Sequence, residues 1–86
     1  MIPRTSPALF GVLIYDGVEP IDIGGTFGVV SMARRVLPNV RATTIAHRAG
    51  PVALAGGLTV LAQHDFASAP PCDVVIVCGG LVQYCW

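Results

Sequence analysis

Apolar and polar positions change their spacing several times along the chain, and each change marks an element. Leu9–Tyr15 (LFGVLIY) is a nearly unbroken apolar run between Pro7 and Asp16-Gly17. A short run without alternation suits a parallel strand covered on both faces. GVEPIDIGG follows, and its Gly17, Pro20 and Gly24-Gly25 read as a turn region. From Gly25 to Leu37 the period becomes helical: Phe27, Val30, Ala33 and Leu37 recur at three- or four-residue steps. Arg34 and Arg35 then face outward and Pro38 ends the helix.

Arg41–His47 (RATTIAH) mixes β-branched, apolar and polar residues and predicts a second strand. AGPVALAGGLTVLAQ holds two short apolar segments around Ala55-Gly56-Gly57, the pattern of a hairpin with a glycine turn, expected as an arm projecting from the main sheet. His64–Ala69 (HDFASA) predicts one helical turn, stopped by Pro70-Pro71, and Val74–Cys78 a third buried strand. The expected order is β-α-β-hairpin-β: an α/β fold with an incomplete doubly wound, flavodoxin-like parallel sheet, truncated after its third core strand. Residues 1–8 form an N-terminal extension in this reading, residues 9–80 the sheet-forming unit and residues 81–86 a divergent tail. A sheet left this way exposes an apolar face and an unpaired edge.

Composition sharpens the last point. With 86 residues, 53% of them hydrophobic and 12% charged, the chain has one small domain and little polar material to cover it. A domain of this size buries only about 60–65% of its unfolded surface. Mean hydropathy of +0.70 therefore implies a partner surface or a larger whole. Formal net charge is zero, and the arginines at 4, 34, 35, 41 and 48 are scattered, so no basic stripe points to nucleic acid. No apolar run approaches the ~18 residues of a membrane span. The apolar N-terminal stretch lacks the small-residue cleavage site of a signal peptide. Cysteines at 72, 78 and 85 fit neither a C-x-x-C pair nor a zinc arrangement. The expectation is a cytoplasmic protein with reduced thiols, no metal and no cofactor.

Among residues with chemistry, Asp22 stands out. It lies between the first strand and the helix, flanked by Ile21 and Ile23. One reading makes it the helix N-cap. The other makes it a carboxyl in partly apolar surroundings with a raised pKa, a hydrogen-bond donor or proton shuttle. Asp16 reads as a turn residue with Gly17, and Glu19 as solvated. Gly79-Gly80 ends the third strand, where backbone N–H groups approach a ligand as in an oxyanion hole, or where the chain simply turns. Gly24-Gly25-Thr26-Phe27-Gly28 has neither the spacing nor the lysine of a phosphate-binding loop. His47 and His64 sit near strand ends without a ligand pattern, Cys78 reads as a small apolar filler, and Cys85 falls on no predicted element.

YDGVEPIDIGGTFGVV, followed by HRAGPVALAGGLTVLAQHDFASAPPCDVVIVCGG, resembles the N-terminal half of the PfpI/ThiJ superfamily, which has a class I glutamine amidotransferase-like fold. The branch it resembles comprises isonitrile hydratase-like proteins and AraC-type transcriptional regulators carrying the same domain. The resemblance runs from Leu9 to Gly80. Its carriers are Asp-x-x-Gly after the first strand, the GPV and GGL hairpin, and Asp73 leading through four apolar residues towards Gly79-Gly80. It implies that Asp22 matches the acid that hydrogen-bonds a nucleophilic cysteine, and that Gly79 and Gly80 match the glycines of the oxyanion site. Cys78 stands where a proline is usual. The family's nucleophile, on a strained elbow beyond the glycines, has no counterpart, and LVQYCW departs from the pattern. Two functional expectations follow. One is a truncated domain of a cysteine-dependent hydratase or amidase type, without catalysis of its own. The other is a sensor or interaction module related to regulators of transcription, self-associating or pairing with a partner chain through the exposed sheet edge.

Overall fold

The computed structural model describes residues 8–79. Strand β1 (Ala8–Leu13) takes up most of the expected apolar run. Ile14 leaves the strand yet still donates its N–H to the Ile45 carbonyl at 2.8 Å. Helix α1 spans Pro20–Ala33, so it starts at Pro20 rather than Gly25 and ends before Leu37. Proline explains the earlier start: at the first helical position its missing N–H costs nothing and its φ is preset. Gly24-Gly25, expected as a turn, therefore lies inside the helix. Gly24, Gly25 and Gly28 are costly there, about 1 kcal/mol each relative to alanine. A Cβ at any of them would meet nothing within 4 Å. At the other end, Arg34 and Leu37 still donate to the carbonyls of Val30 and Ala33, so the turn after α1 keeps helical bonding.

Strand β2 runs over Val40–Ala46. Then β3 (Gly50–Ala53) and β4 (Thr59–Ala62) form the predicted antiparallel hairpin. Its turn, Ala55–Gly57, depends on left-handed backbone at Gly56 (φ 81) and Gly57 (φ 92). Strand β5 (His64–Asp65) and strand β6 (Val74–Val77) complete the set. The main sheet has order β5-β2-β1-β6 with every pairing parallel, which makes this an α/β fold.

One face of the sheet carries the core. Val12, Ile14, Ala46 and Ile76 meet Ile23 and Phe27 of α1 and Val52, Leu54 and Ala62 of the hairpin, with Val18 and Cys78 closing one end. Val12, Ile14 and Val18 are fully buried. The hairpin is thus a wall of the core and not a projecting arm. Polar bonds lock it to β2: Thr43 Oγ1 donates to Gln63 Oε1 at 2.6 Å and Gln63 N–H to Thr44 Oγ1 at 2.9 Å.

Two more expectations give way. His64–Ala69 is no helical turn, because His64 and Asp65 pair with Ile45 and Ala46 as a fourth parallel strand. A tight turn follows, closed by Ser68 N–H to Asp65 Oδ1 at 2.7 Å. Nor is β6 a buried strand. It is an edge strand whose Val74, Val75 and Val77 are exposed, while Ile76 packs on the core and Cys78, just past it, is buried. An unbroken apolar run reads as covered on both faces, and among the described residues only one face of β6 is covered. Residues 1–7 of the expected extension, Gly80 and residues 81–86 lie outside the described residues, and Ala8 opens β1.

On the opposite sheet face Gly11 is irreplaceable. A Cβ there would stand 2.7 Å from Cys72 Sγ and 2.9 Å from Ile45 Cδ1. Gly11→Ala is expected to destabilise the fold by about 1–3 kcal/mol through overpacking. Adding Cys72→Ala should restore part of the loss. Urea unfolding of the two variants checks this, and equal midpoints for wild type and Gly11→Ala would contradict it.

Candidate functional site

From β1 the chain passes through α1 to β2 on one side, and β6 later joins β1 on the other. At such a switch point the connections leave in opposite directions, so a crevice opens beyond the carboxyl ends of the two central strands. Here that position lies past Leu13 and Val77, and the N-terminus of α1 approaches it, with Glu19 N–H and the Asp22 side chain both bonded to Gly79.

The loop Tyr15–Glu19 builds the floor. Gly17, at φ 88, lets the chain double back. On one side the loop is tied to the hairpin: Gly17 N–H donates to the Ala53 carbonyl at 2.8 Å, and Ala55 N–H to the Val18 carbonyl at 3.0 Å. Asp16 Oδ1 accepts from Ala53 N–H at 3.2 Å, so this turn residue also anchors β3. On the other side it is tied to the end of β6. Tyr15 Oη donates to the Cys78 carbonyl at 2.6 Å, and Glu19 N–H to the Gly79 carbonyl at 2.9 Å.

Asp22 completes this arrangement, though not as the cap. Glu19 is the N-cap residue and makes no side-chain cap bond, whereas Asp22 is in the first turn of the helix. Its Oδ2 reaches across the crevice and accepts the Gly79 N–H at 3.0 Å. The carboxylate is exposed, unlike the partly apolar setting expected for it. Two of the residues singled out in the sequence, Asp22 and Gly79, are thus in direct contact. Both backbone polar groups of Gly79 are engaged, its N–H by Asp22 and its carbonyl by Glu19 N–H. Gly80 is outside the described residues.

Two side chains here have displaced acidities. Tyr15 is raised above the usual phenol value, chiefly by desolvation and then by the nearby Cys78 and Asp22. Burial pushes the Cys78 thiol up, and the Asp22 carboxylate adds to the shift. A thiol raised in this way is a poor nucleophile at neutral pH, in keeping with its expected role as filler. Cys72 is half-buried on the other sheet face, its Sγ donating to the Pro70 carbonyl at 3.4 Å.

The remaining candidates stand apart. His47 is exposed with its ring edge-on to Phe66, centroids 6.1 Å apart, and His64 lies half-buried on β5. A depression of about 240 Å³ on the β2 side of the loop brings His47 and Arg48 beside Tyr15 and Asp16. Among the described residues no group of three His, Cys, Asp or Glu side chains is placed to hold a metal. No helix among them is long and apolar enough to cross a membrane. The residue that sequence reasoning passed over is Tyr15. Its only signal is a hydroxyl-bearing aromatic at the end of a buried strand, where such a group requires a partner.

No protein-family model matches this chain, and no curated protein does. Solved structures do. An AraC family transcriptional regulator from Pseudomonas putida superposes with a TM-score of 0.75 at 19% identity, over 87% of this chain and 48% of that one. A DJ-1 superfamily protein from Agrobacterium tumefaciens superposes with a TM-score of 0.61 at 20% identity, over 90% of this chain and 40% of that one. This chain therefore spans less than half the length of either protein. The fold is shared with both.

The acidities predict an alkaline weakness. Stability linked to the neutral Cys78 thiol is complete below its unfolded value, near 9.0, and is lost as pH rises through the higher folded value. Tyr15 extends the same loss past its ordinary value of 10.0. Urea midpoints should therefore fall from about pH 8 to pH 11, and less steeply in Cys78→Ala. Native Cys78 should also alkylate at least ~10-fold more slowly at neutral pH than in urea. Equal rates would contradict the burial argument.

Proposed function

We propose that residues 9–80 constitute the amino-terminal half of a PfpI/ThiJ-type domain of the isonitrile hydratase-like and AraC-regulator-associated branch. We further propose that the 86-residue polypeptide has no catalysis of its own. The carrying observation is the bond between Asp22 Oδ2 and Gly79 N–H across the crevice. The contact of a carboxylate with a strand-end amide supports reading the two as the acid and the backbone donor that such a domain uses beside its reacting thiol. The motif resemblance and the two fold neighbours support the assignment.

The chemistry argues for inactivity. Covalent catalysis at an acyl or isonitrile carbon needs a thiolate, and catalysed rates exceed uncatalysed ones by about 10⁶-fold or more. Cys78 adjoins Asp22 electrostatically, but its thiol is buried and its acidity weakened. Cys72 lies under Gly11, away from the crevice. Cys85 belongs to a segment that does not match the family pattern. An acid and a backbone donor bind and polarise a substrate, but they offer no electron pair of comparable nucleophilicity.

A sensor or interaction module is the second reading. It is favoured by the higher TM-score of the AraC family regulator, 0.75 against 0.61. In this reading the crevice recognises a small molecule without turning it over, and the open edge of β6 pairs with a partner chain. Both readings share one biochemical expectation. The purified polypeptide, offered isonitrile, amide and dicarbonyl substrates, should show no turnover above that of a variant with all three cysteines replaced. Turnover abolished by both iodoacetamide and Asp22→Ala would overturn the proposal.

A further inference from the structure

The far end of α1, away from Asp22 and Gly79, carries another depression, of about 480 Å³. Phe27, Val30, Ser31, Arg34 and Arg35 border it. They stand at positions i, i+3, i+4, i+7 and i+8, which make one continuous helical stripe. The stripe runs on past Ala33 because Arg34 N–H still donates to the Val30 carbonyl at 3.0 Å and Leu37 N–H to that of Ala33 at 2.8 Å. Ala42 of β2 forms the sheet side of the depression.

Polarity is graded along this stripe. Phe27 packs half-buried against the core and Val30 is buried, so one end offers a fixed apolar floor. Ser31 is exposed midway, and Arg34 and Arg35 are exposed at the other end. Small-molecule sites have volumes of this order and combine an apolar lining with a few polar groups.

Charge selects the occupant. The chain has five acidic side chains, and none borders the depression. Asp16, Asp22, Asp65 and Asp73 accept from the backbone N–H groups of Ala53, Gly79, Ser68 and Leu9. Glu19 lies at the opposite end of α1, about 20 Å of helix away. No acidic side chain therefore compensates the two arginines. Carbonyls at a helix end attract cations in general. Adjacent guanidinium groups also repel one another, and an anion held between them removes that cost.

We propose that this depression binds an organic carboxylate, its anionic head on Arg34 and Arg35 and its apolar body over Phe27 and Val30. Planar guanidinium forks match a carboxylate, and the Ser31 hydroxyl offers a further donor beside them. The carbonyls ending α1 disfavour a second negative charge, which selects a carboxylate over a phosphate dianion. An inorganic anion would leave the apolar floor uncovered, and an uncharged apolar molecule would leave the arginines unpaired. The site is separate from the Asp22–Gly79 contact, and the inference does not depend on the functional reading above.

Titration of the isotopically labelled 86-residue chain with octanoate at neutral pH, followed by amide NMR spectra, tests it. The expected result is saturable shifts at the Ser31, Arg34, Arg35 and Ala42 amides, with Kd below about 1 mM. Octanol and inorganic phosphate, which carry only the body or only the charge, should each bind at least ~10-fold more weakly. Octyl phosphate should bind no more tightly than octanoate. Arg34→Gln combined with Arg35→Gln should raise the octanoate Kd at least ~10-fold. Ser31→Tyr, which fills the depression without removing charge, should also raise it, and Arg48→Gln should leave it unchanged. The spectrum of each free variant reports that its fold is kept. Absence of saturable shifts up to about 10 mM octanoate would overturn the proposal. Phosphate binding as tightly as octanoate would overturn it too, leaving an adventitious ion only, and tighter octyl phosphate would remove the carboxylate assignment. An octanoate Kd indifferent to the arginine substitutions would reduce the site to apolar adsorption and equally contradict the proposal.

Discussion

The loop Tyr15–Glu19 must be held from both sides, and the rest of the structure depends on that constraint. Val18 is fully buried at its centre, so its own backbone N–H and C=O must find partners within the protein. The hairpin supplies partners on one side through Ala53 and Ala55, and the end of β6 supplies them on the other through Cys78 and Gly79. Remove either wall and Val18 loses its cover while several N–H and C=O groups lose their bonds. The loop therefore couples β1, α1, the hairpin and β6 through backbone hydrogen bonds, beside the apolar core they also share.

That coupling is also what places the site. β6 joins β1 as an edge strand with most of its side chains exposed, so side-chain burial alone fixes it weakly. It is pinned at its two ends instead. At the start, Leu9 N–H donates to Asp73 Oδ2 and Asp73 N–H to the Leu9 carbonyl, each at 2.8 Å. At the finish, Glu19 and Asp22 hold the two polar groups of Gly79. Fixing Gly79 brings the strand-end backbone against the first turn of α1. Asp22 thus has a structural duty in the described residues as well as the chemical one proposed for it.

Much of this architecture was legible in the residues, and the failures have physical reasons. LFGVLIY and the GPV and GGL segments marked β1 and the hairpin, because an uninterrupted apolar run and a glycine turn leave few alternatives. The start of α1 was misplaced because Gly24-Gly25 outweighed Pro20, although proline at the first helical position was the better signal. β5 was hidden because two residues carry no period. VVIV implied burial, and only Ile76 obeys, since a strand's composition does not say whether its second cover is present. Asp22 and Gly79 are far apart in sequence, and no spacing rule joins them; the family resemblance singled out each for a separate role, and their contact is visible only in the fold. Tyr15 had no such help, because its role rests on a carbonyl at the far end of the chain.

The central claim is that Asp22 holds the Gly79 amide, and hydrogen exchange of that amide tests it most directly. The account predicts that the Gly79 N–H exchanges slowly in the wild-type chain and speeds up at least ~10-fold in Asp22→Ala, with the Val12 amide in the centre of β1 unaffected. Equal exchange at Gly79 in the two proteins would contradict the account and remove the observation on which the site rests.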